Sequence, residues 1–385
     1  MAVRYLGMVM KLIKNLTLSA FTLALLAGCN SSPKQGSATQ SGLVSNNASN
    51  TVIAKSAYIF NDADIAMPAY FDTQGLERCT FDANTETESC PLKKPIVRMY
   101  FDLAGVNGSG IGVDAMREFD NKNLLLMLEN QFAGINRFRI VTRDDDAISK
   151  EQQLILQQQG VVAAAKRAEV KALIPDFVVK IDSLRTLKTE GSITDWADYT
   201  LELTTGVINP QTREKLSHPN LGKIRVKSED VRDRSELKFT TVSGRYVAGF
   251  HFDQSAHVNA VLSDMGSRGI DILLTRMLSE MPATAQVLGI KGNKISLDRG
   301  QNAGVLPNET MIVFSYEAGF VEPIGVANVN PSRSSANGEI IRWKDSDAAD
   351  DVKNKAENGI YRPSNGTKIF AVSVGTPADF LESRT

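Results

Sequence analysis

The sequence predicts an α+β fold: a two-layer or three-layer α/β domain with a mixed sheet, followed by a small β-barrel-like domain. Three observations lead there. Between Ile96 and Met281, short β-rich runs alternate with stretches whose apolar residues recur at helical spacing. From Ala285 onward the composition shifts to short β runs and glycines. The chain has 385 residues, 42% hydrophobic and 23% charged, which leaves room for two compact domains after an N-terminal leader is set aside.

The leader comes first. Lys11 and Lys14 form a short positive region, and Leu16 to Ala27 is an apolar run of signal-peptide length that is too short to span a bilayer. It ends in Leu26-Ala27-Gly28-Cys29, where two small residues admit a narrow peptidase site just before a thiol. This looks like a bacterial lipobox. It predicts a lipoprotein signal peptide over 1–28 and a mature chain beginning at Cys29, whose thiol carries diacylglycerol. Acyl chains of the palmitate kind add about 0.8 kcal/mol of membrane affinity per buried methylene, so several together anchor the chain. Asn30, rather than Asp, after the cysteine points to the outer membrane under bacterial lipoprotein sorting. The expected location is therefore the periplasmic face of the outer membrane.

Residues 29–51 are dominated by Ser, Asn, Gln, Gly and Ala and read as a flexible tether. Over 52–95, Tyr58, Phe60, Tyr70, Phe71 and Phe81 are scattered among acidic and turn residues, which suggests an ordered extension. With Cys29 assigned to lipid, Cys79 and Cys90 remain as a pair in an oxidising compartment. They are expected to form a disulfide. Closing the polar loop between them stabilises by roughly 2–3 kcal/mol on the chain-entropy model. Zinc needs more ligands than two thiols, and no histidine lies nearby.

The α/β domain, 96–283, opens with a strand over Ile96 to Leu103, placed after Pro95. A loop carrying Gly105, Gly108, Gly110 and Gly112 leads into a helix over Val113 to Phe132, on which Met116, Phe119, Leu124, Leu128 and Phe132 share a face. Arg137 to Val141 is a second strand. Asp146 caps a following helix that runs to about Gln159, and Val161 to Ala172 continues the helical pattern. Asp176 to Ile181 and Tyr199 to Ile208 are antiparallel strands, the second ending at the turn Asn209-Pro210-Gln211-Thr212. The segment Gly222 to Phe252 alternates partly, and Val258 to Met281 is an amphipathic helix weakened by Gly266 and Gly269, about 1 kcal/mol each. The β domain, 284–385, begins with a run to Asp298 in which Gly292-Asn293 suits a tight hairpin.

This order of elements, with the strand run Arg137-Phe138-Arg139-Ile140-Val141-Thr142-Arg143 and the turn Asn209-Pro210-Gln211-Thr212-Arg213-Glu214, resembles the curli-secretion channel lipoproteins over Ile96 to Met281. The β domain is similar to that of the T protein of the flagellar basal-body ring. The resemblance implies a periplasmic α/β domain whose relatives donate two β-hairpins each to a ring-shaped outer-membrane barrel. A membrane hairpin needs strands of about nine to eleven residues with an apolar face. Asp182, Arg185, Lys188, Glu190, Asp195 and Asp198 interrupt the first candidate, and Glu229, Asp230, Arg232, Asp233, Arg234 and Glu236 the second, leaving Leu237 to Phe252 as the one lipid-compatible stretch.

Catalytic and cofactor patterns are poor. His218, His251 and His257 lack the i, i+4 spacing of two ligands on a helical face. Asp144-Asp145-Asp146 lacks the spaced oxygens and closing Glu of a calcium loop. Gly105 to Gly112 lacks the Lys-Ser or Lys-Thr of a phosphate-binding loop, and no Gly-x-Ser-x-Gly elbow occurs. A net charge of −1 gives no general attraction to nucleic acid. The expected protein is not an enzyme, binds no cofactor and no nucleic acid, and works with the membrane through its lipid, with envelope proteins, and in a possible homo-oligomeric ring. A curli-type secretion channel is the alternative.

Overall fold

A computed structural model describes residues 43–46, 51–68, 71, 73–74, 76, 93–101, 121–142, 174–190, 197–216, 223–231, 241–242, 245–246, 255–363 and 366–380. The signal peptide, Cys29, Cys79, Cys90, the loop 105–112, the helix expected after Asp146 and most of Leu237 to Phe252 lie outside them. Two β architectures with helices follow one another along the chain, as the composition shift predicts.

The first is a mixed sheet. Strands β3 (Ile96–Phe101), β4 (Arg139–Ile140) and β5 (Phe177–Glu190) are parallel, with β3 in the middle. Strand β6 (Ala197–Ile208) returns antiparallel to β5, β7 (Lys215–Leu216) and β8 (Lys223–Lys227) both pair with β6, and β9 (Thr241–Val242) pairs antiparallel with β10 (Arg245–Tyr246) in a separate two-stranded sheet. Helices α1 (Asn121–Gly134) and α2 (Ser255–Glu280) lie on one face of this sheet. Leu128 and Phe132 of α1 and Met265, Leu273 and Met277 of α2 meet Val97, Met99, Val179, Ile181, Leu201 and Leu203, all fully or almost fully buried. Gly269 sits where α2 approaches Leu203 so closely that a Cβ would come 2.5 Å from its Cδ1, so the glycine expected to weaken the helix is what lets it pack.

The second is a closed six-stranded barrel formed by β11 (Thr284–Lys291), β12 (Lys294–Leu297), β13 (Glu309–Glu317), β14 (Phe320–Pro331), β15 (Ala336–Trp343) and β16 (Thr367–Ser373), in the order β11-β12-β15-β14-β13-β16. The predicted hairpin joins β11 to β12, Gly292 taking φ 55° at its tip. Closure leaves no strand edge for another chain to pair with. Val287, Ile295, Met311, Val313, Val329, Ile340 and Ile369 fill the interior, and helix α3 (Asp347–Glu357) adds Ala349, Val352 and Ala356 to the same cluster. Ser346 caps that helix, accepting the Ala349 amide hydrogen at 3.3 Å.

Alternation along β13 and β16 places Ile312, Phe314, Tyr316, Phe370 and Val372 in a separate cluster outside the barrel, which Val374 joins just past the end of β16. The chain covers that face itself. Residues 54–76 supply Ala54, Ala57, Phe60, Ile65 and Leu76 to the cluster, and Phe71 meets Phe314 edge-on at 5.8 Å. The Ala57 amide donates to Thr310 Oγ1 (3.1 Å), Lys344 Nζ donates to Ile65 O (3.0 Å), and the Asp345 amide donates to Asp62 Oδ1 (2.7 Å).

Three sequence expectations need correction. Leu43–Asn46 (β1) pairs antiparallel with Thr51–Ala54 (β2), so the polar stretch expected to be tether up to residue 51 is paired from Leu43. Leu43, Val44, Val52 and Ile53 supply the β-forming residues that a composition dominated by Ser and Asn obscures. Strand β5 runs on to Glu190, well past Ile181, because cross-strand pairing with β6 decides its length where the apolar pattern fails. Arg137 and Phe138 form a bend, and β4 holds only Arg139 and Ile140.

Candidate functional site

Among the described residues, the β5–β6 ribbon extends beyond the rest of the sheet. There β3 pairs with β5 as far as Phe101 opposite Ile181, and β8 pairs with β6 as far as Lys227 opposite Thr200. Past those points β5 and β6 continue together to Glu190 opposite Ala197. Because directly opposed residues share a face, the register sorts the ribbon without ambiguity. Leu184, Thr186, Lys188 and Glu190 share one face with Leu203, Leu201, Tyr199 and Ala197; Arg185, Leu187 and Thr189 share the other with Glu202, Thr200 and Asp198. Charged residues therefore stand on both faces.

The second face is anchored by Glu202. It is only 4% exposed, and its carboxylate accepts from Arg225 Nε at 2.7 Å and pairs with Lys223 Nζ at 2.7 Å. Burial pushes this carboxyl up, but the hydrogen bonds and charges of Lys223 and Arg225 outweigh it and hold the group below its ordinary value. Strand β8 alternates cleanly: Lys223, Arg225 and Lys227 are exposed, while Ile224 and Val226 enter the core. A row of cations beside a pairing edge is also how sheet proteins discourage non-specific strand addition.

Sheet domain and barrel meet at a buried polar cluster. Asn136 takes φ 61°, turning the chain after α1 so that Arg137 enters the junction, where it is 3% exposed. Its Nη2 donates to Glu309 Oε1 at 2.7 Å and to Gly304 O at 2.6 Å, and its Nε donates to Gly304 O at 3.1 Å. Glu309 is fully buried, and it also accepts from Ser373 Oγ at 2.5 Å and from the Leu306 amide at 2.7 Å. Both carboxylate oxygens are thus occupied by donors, as a charge at this depth requires. Beside this cluster, Thr376 Oγ1 donates to Thr275 O of α2 at 3.3 Å, and Thr376 O accepts the Ala54 amide hydrogen at 2.7 Å.

Of the residues singled out in the sequence, Cys29, Cys79, Cys90, Asp144 to Asp146, His218 and His251 lie outside the described residues, and His257 is placed in the first turn of α2. Among the described residues, no group of three or more His, Cys, Asp or Glu is positioned to hold a metal ion, and no helix is long and apolar enough to cross a membrane. Arg137, Glu309 and Ser373 escaped sequence reading. Arg137 stood in a run read as strand, and nothing in the local sequence around Arg137 or Glu309 marks either as buried. A scan of protein-family models found none that matches the chain, and a search of curated proteins found no match.

Proposed function

We propose that this protein is an outer-membrane-anchored periplasmic lipoprotein that works by assembly, binding envelope proteins through its folded body while Cys29 holds it to the membrane. The observation that carries the reading is the register of the β5–β6 ribbon, which distributes Arg185, Lys188, Glu190, Asp198 and Glu202 over both of its faces. A lipid-facing strand tolerates charge toward a lumen, but Arg or Lys at the bilayer midplane costs about 2–4 kcal/mol each. A ribbon with charge on both sides suits contact with polar protein surfaces. In this reading the barrel, closed and filled by its own side chains, is a rigid interaction or spacing element and not a conduit.

The test is conductance combined with copurification. Purified, lipidated protein is expected to give no channel steps in planar bilayers and to bring envelope proteins with it from detergent extracts. Reproducible conductance that disappears when charges are inserted into Leu237 to Phe252 would overturn the assembly reading. It would favour the second one, a ring-shaped secretion channel, which draws on ribbon length: β5 has 14 residues and β6 has 12, long enough to cross a bilayer.

A further inference from the structure

The sheet domain and the barrel are joined in sequence by only Met281, Pro282 and Ala283, between the end of α2 and the start of β11. Their apolar cores are separate: one is built on α1, α2 and the mixed sheet, the other inside the barrel. Leu306 and Phe380 cross from the barrel side into the sheet-domain core, an apolar contact that does not by itself fix an angle. Relative motion of domains joined by a short connection is the default unless their interface is large and hydrophobic or is otherwise fixed.

We infer that the Arg137–Glu309–Ser373 cluster is a lock that fixes the orientation of the barrel relative to the sheet domain, so that a load or a partner on the β5–β6 ribbon reaches the barrel without an intervening hinge. The cluster draws on four separate segments. Arg137 comes from the turn after α1, Leu278 O from the last turn of α2, Gly304 O and the Leu306 amide from the loop before β13, and Ser373 from the end of β16. Hydrogen bonds are directional, so a small rotation of the barrel misaligns several at once and strands a carboxylate with no access to water. The fit is tight as well: Gly304 takes φ 76°, and a Cβ there would stand 2.6 Å from Arg137 Cα. Replacing a buried ion pair by apolar groups is often neutral for stability, so the presence of one at this junction fits a role in specifying arrangement. Passing a load from a partner on the ribbon rests on the proposed assembly role; the lock between the two domains rests on the geometry of the cluster alone.

The experiment measures orientation apart from stability. Distance labels are placed through unnatural residues at exposed Gln211 in the sheet domain and Asp350 on the barrel, with Asp350 and Glu339 as the pair within the barrel. The double variant Arg137→Met, Glu309→Leu removes charge and hydrogen bonds while keeping apolar volume, and Ser373→Ala is the milder change. The expected result is an interdomain distance distribution at least about twice as broad in the double variant, and a smaller broadening in Ser373→Ala, with the distance inside the barrel unchanged. Interdomain distributions as narrow as wild type in both variants would overturn the lock. If the double variant does not fold, Ser373→Ala decides alone: broadening supports the lock, and an unchanged width rejects it.

Discussion

Asp298 gives the sharpest test of the barrel's electrostatics. Its side chain is 3% exposed; Oδ1 accepts the Gln286 amide hydrogen at 2.7 Å, and among the described residues Oδ2 has no hydrogen-bond partner. Burial pushes this carboxyl from 3.8 up to about 7, against the pull of its backbone hydrogen bonds. The folded state therefore holds the Asp298 proton more tightly than the unfolded chain. The stability this contributes is fully present below about pH 4, falls as pH rises through about 7, and stays lost above that. A shift of about three units at 1.36 kcal/mol per unit makes the loss on the order of 4 kcal/mol, a ceiling because Arg299 Nε lies 3.7 Å from Oδ1 and attracts the ionised form. Asp298→Asn keeps an oxygen for the Gln286 amide and removes the titration. Urea unfolding of both proteins from pH 4 to 8.5 isolates the effect, because all other groups cancel in the difference. The variant is expected to gain on wild type by one to several kcal/mol as pH rises across this range. A constant difference across pH would refute the argument.

Three further predictions are direct. Gly304→Ala forces an L side chain into a left-handed backbone against Arg137, and is expected to lower unfolding free energy by on the order of 3 kcal/mol, read from chemical denaturation; a loss below about 1 kcal/mol would contradict the tight fit. Cys29→Ser is expected to move the protein from washed membranes to the soluble fraction and to remove an acyl mass, whereas continued membrane retention without that mass would count against the lipid anchor. In periplasmic material, Cys79 and Cys90 are expected to resist alkylation until reduced, and intact-protein mass showing both blocked beforehand would eliminate the bridge.

Local signals carried the sequence reading where turn chemistry and periodicity coincide. Gly292-Asn293 announced the β11–β12 hairpin, and Leu128, Phe132, Met265, Leu273 and Met277 fell on helical faces that do meet the sheet. The register of the β5–β6 ribbon was half legible. The charges at Arg185, Lys188 and Glu190 were plain, but they disguised the strand's continuation, which depends on β6 lying opposite. The lock was illegible for a similar reason: Arg137 and Glu309 are 172 positions apart, and nothing adjacent to either marks the other as its counter-ion. Burial of a charge is a property of the assembled junction, and a sequence pattern with a period of two or 3.6 residues cannot register it.

The extension before the sheet domain raises the same difficulty in another form. Phe60, Ile65, Phe71 and Leu76 follow no period because their partners are on a barrel face more than two hundred positions away. In β13, Met311 and Val313 turn inward while Ile312 and Phe314 turn outward, so the strand reads as a continuous apolar run. Such a strand needs cover on both faces, and only residues 54–76 supply the outer one among the described residues. The barrel is therefore incomplete as residues 284–380 alone, although chain order makes it look like a separable C-terminal module. Removing residues 1–92 would uncover Ile312, Phe314, Val326, Phe370 and Val372 together, a contiguous apolar patch of the kind that drives association. The shortened chain is expected to bind a hydrophobic dye and to elute as larger species at rising concentration, compared with a chain starting after Cys29. Monodisperse, dye-silent behaviour of the shortened chain would show that the extension merely rests on the barrel and is not part of its fold.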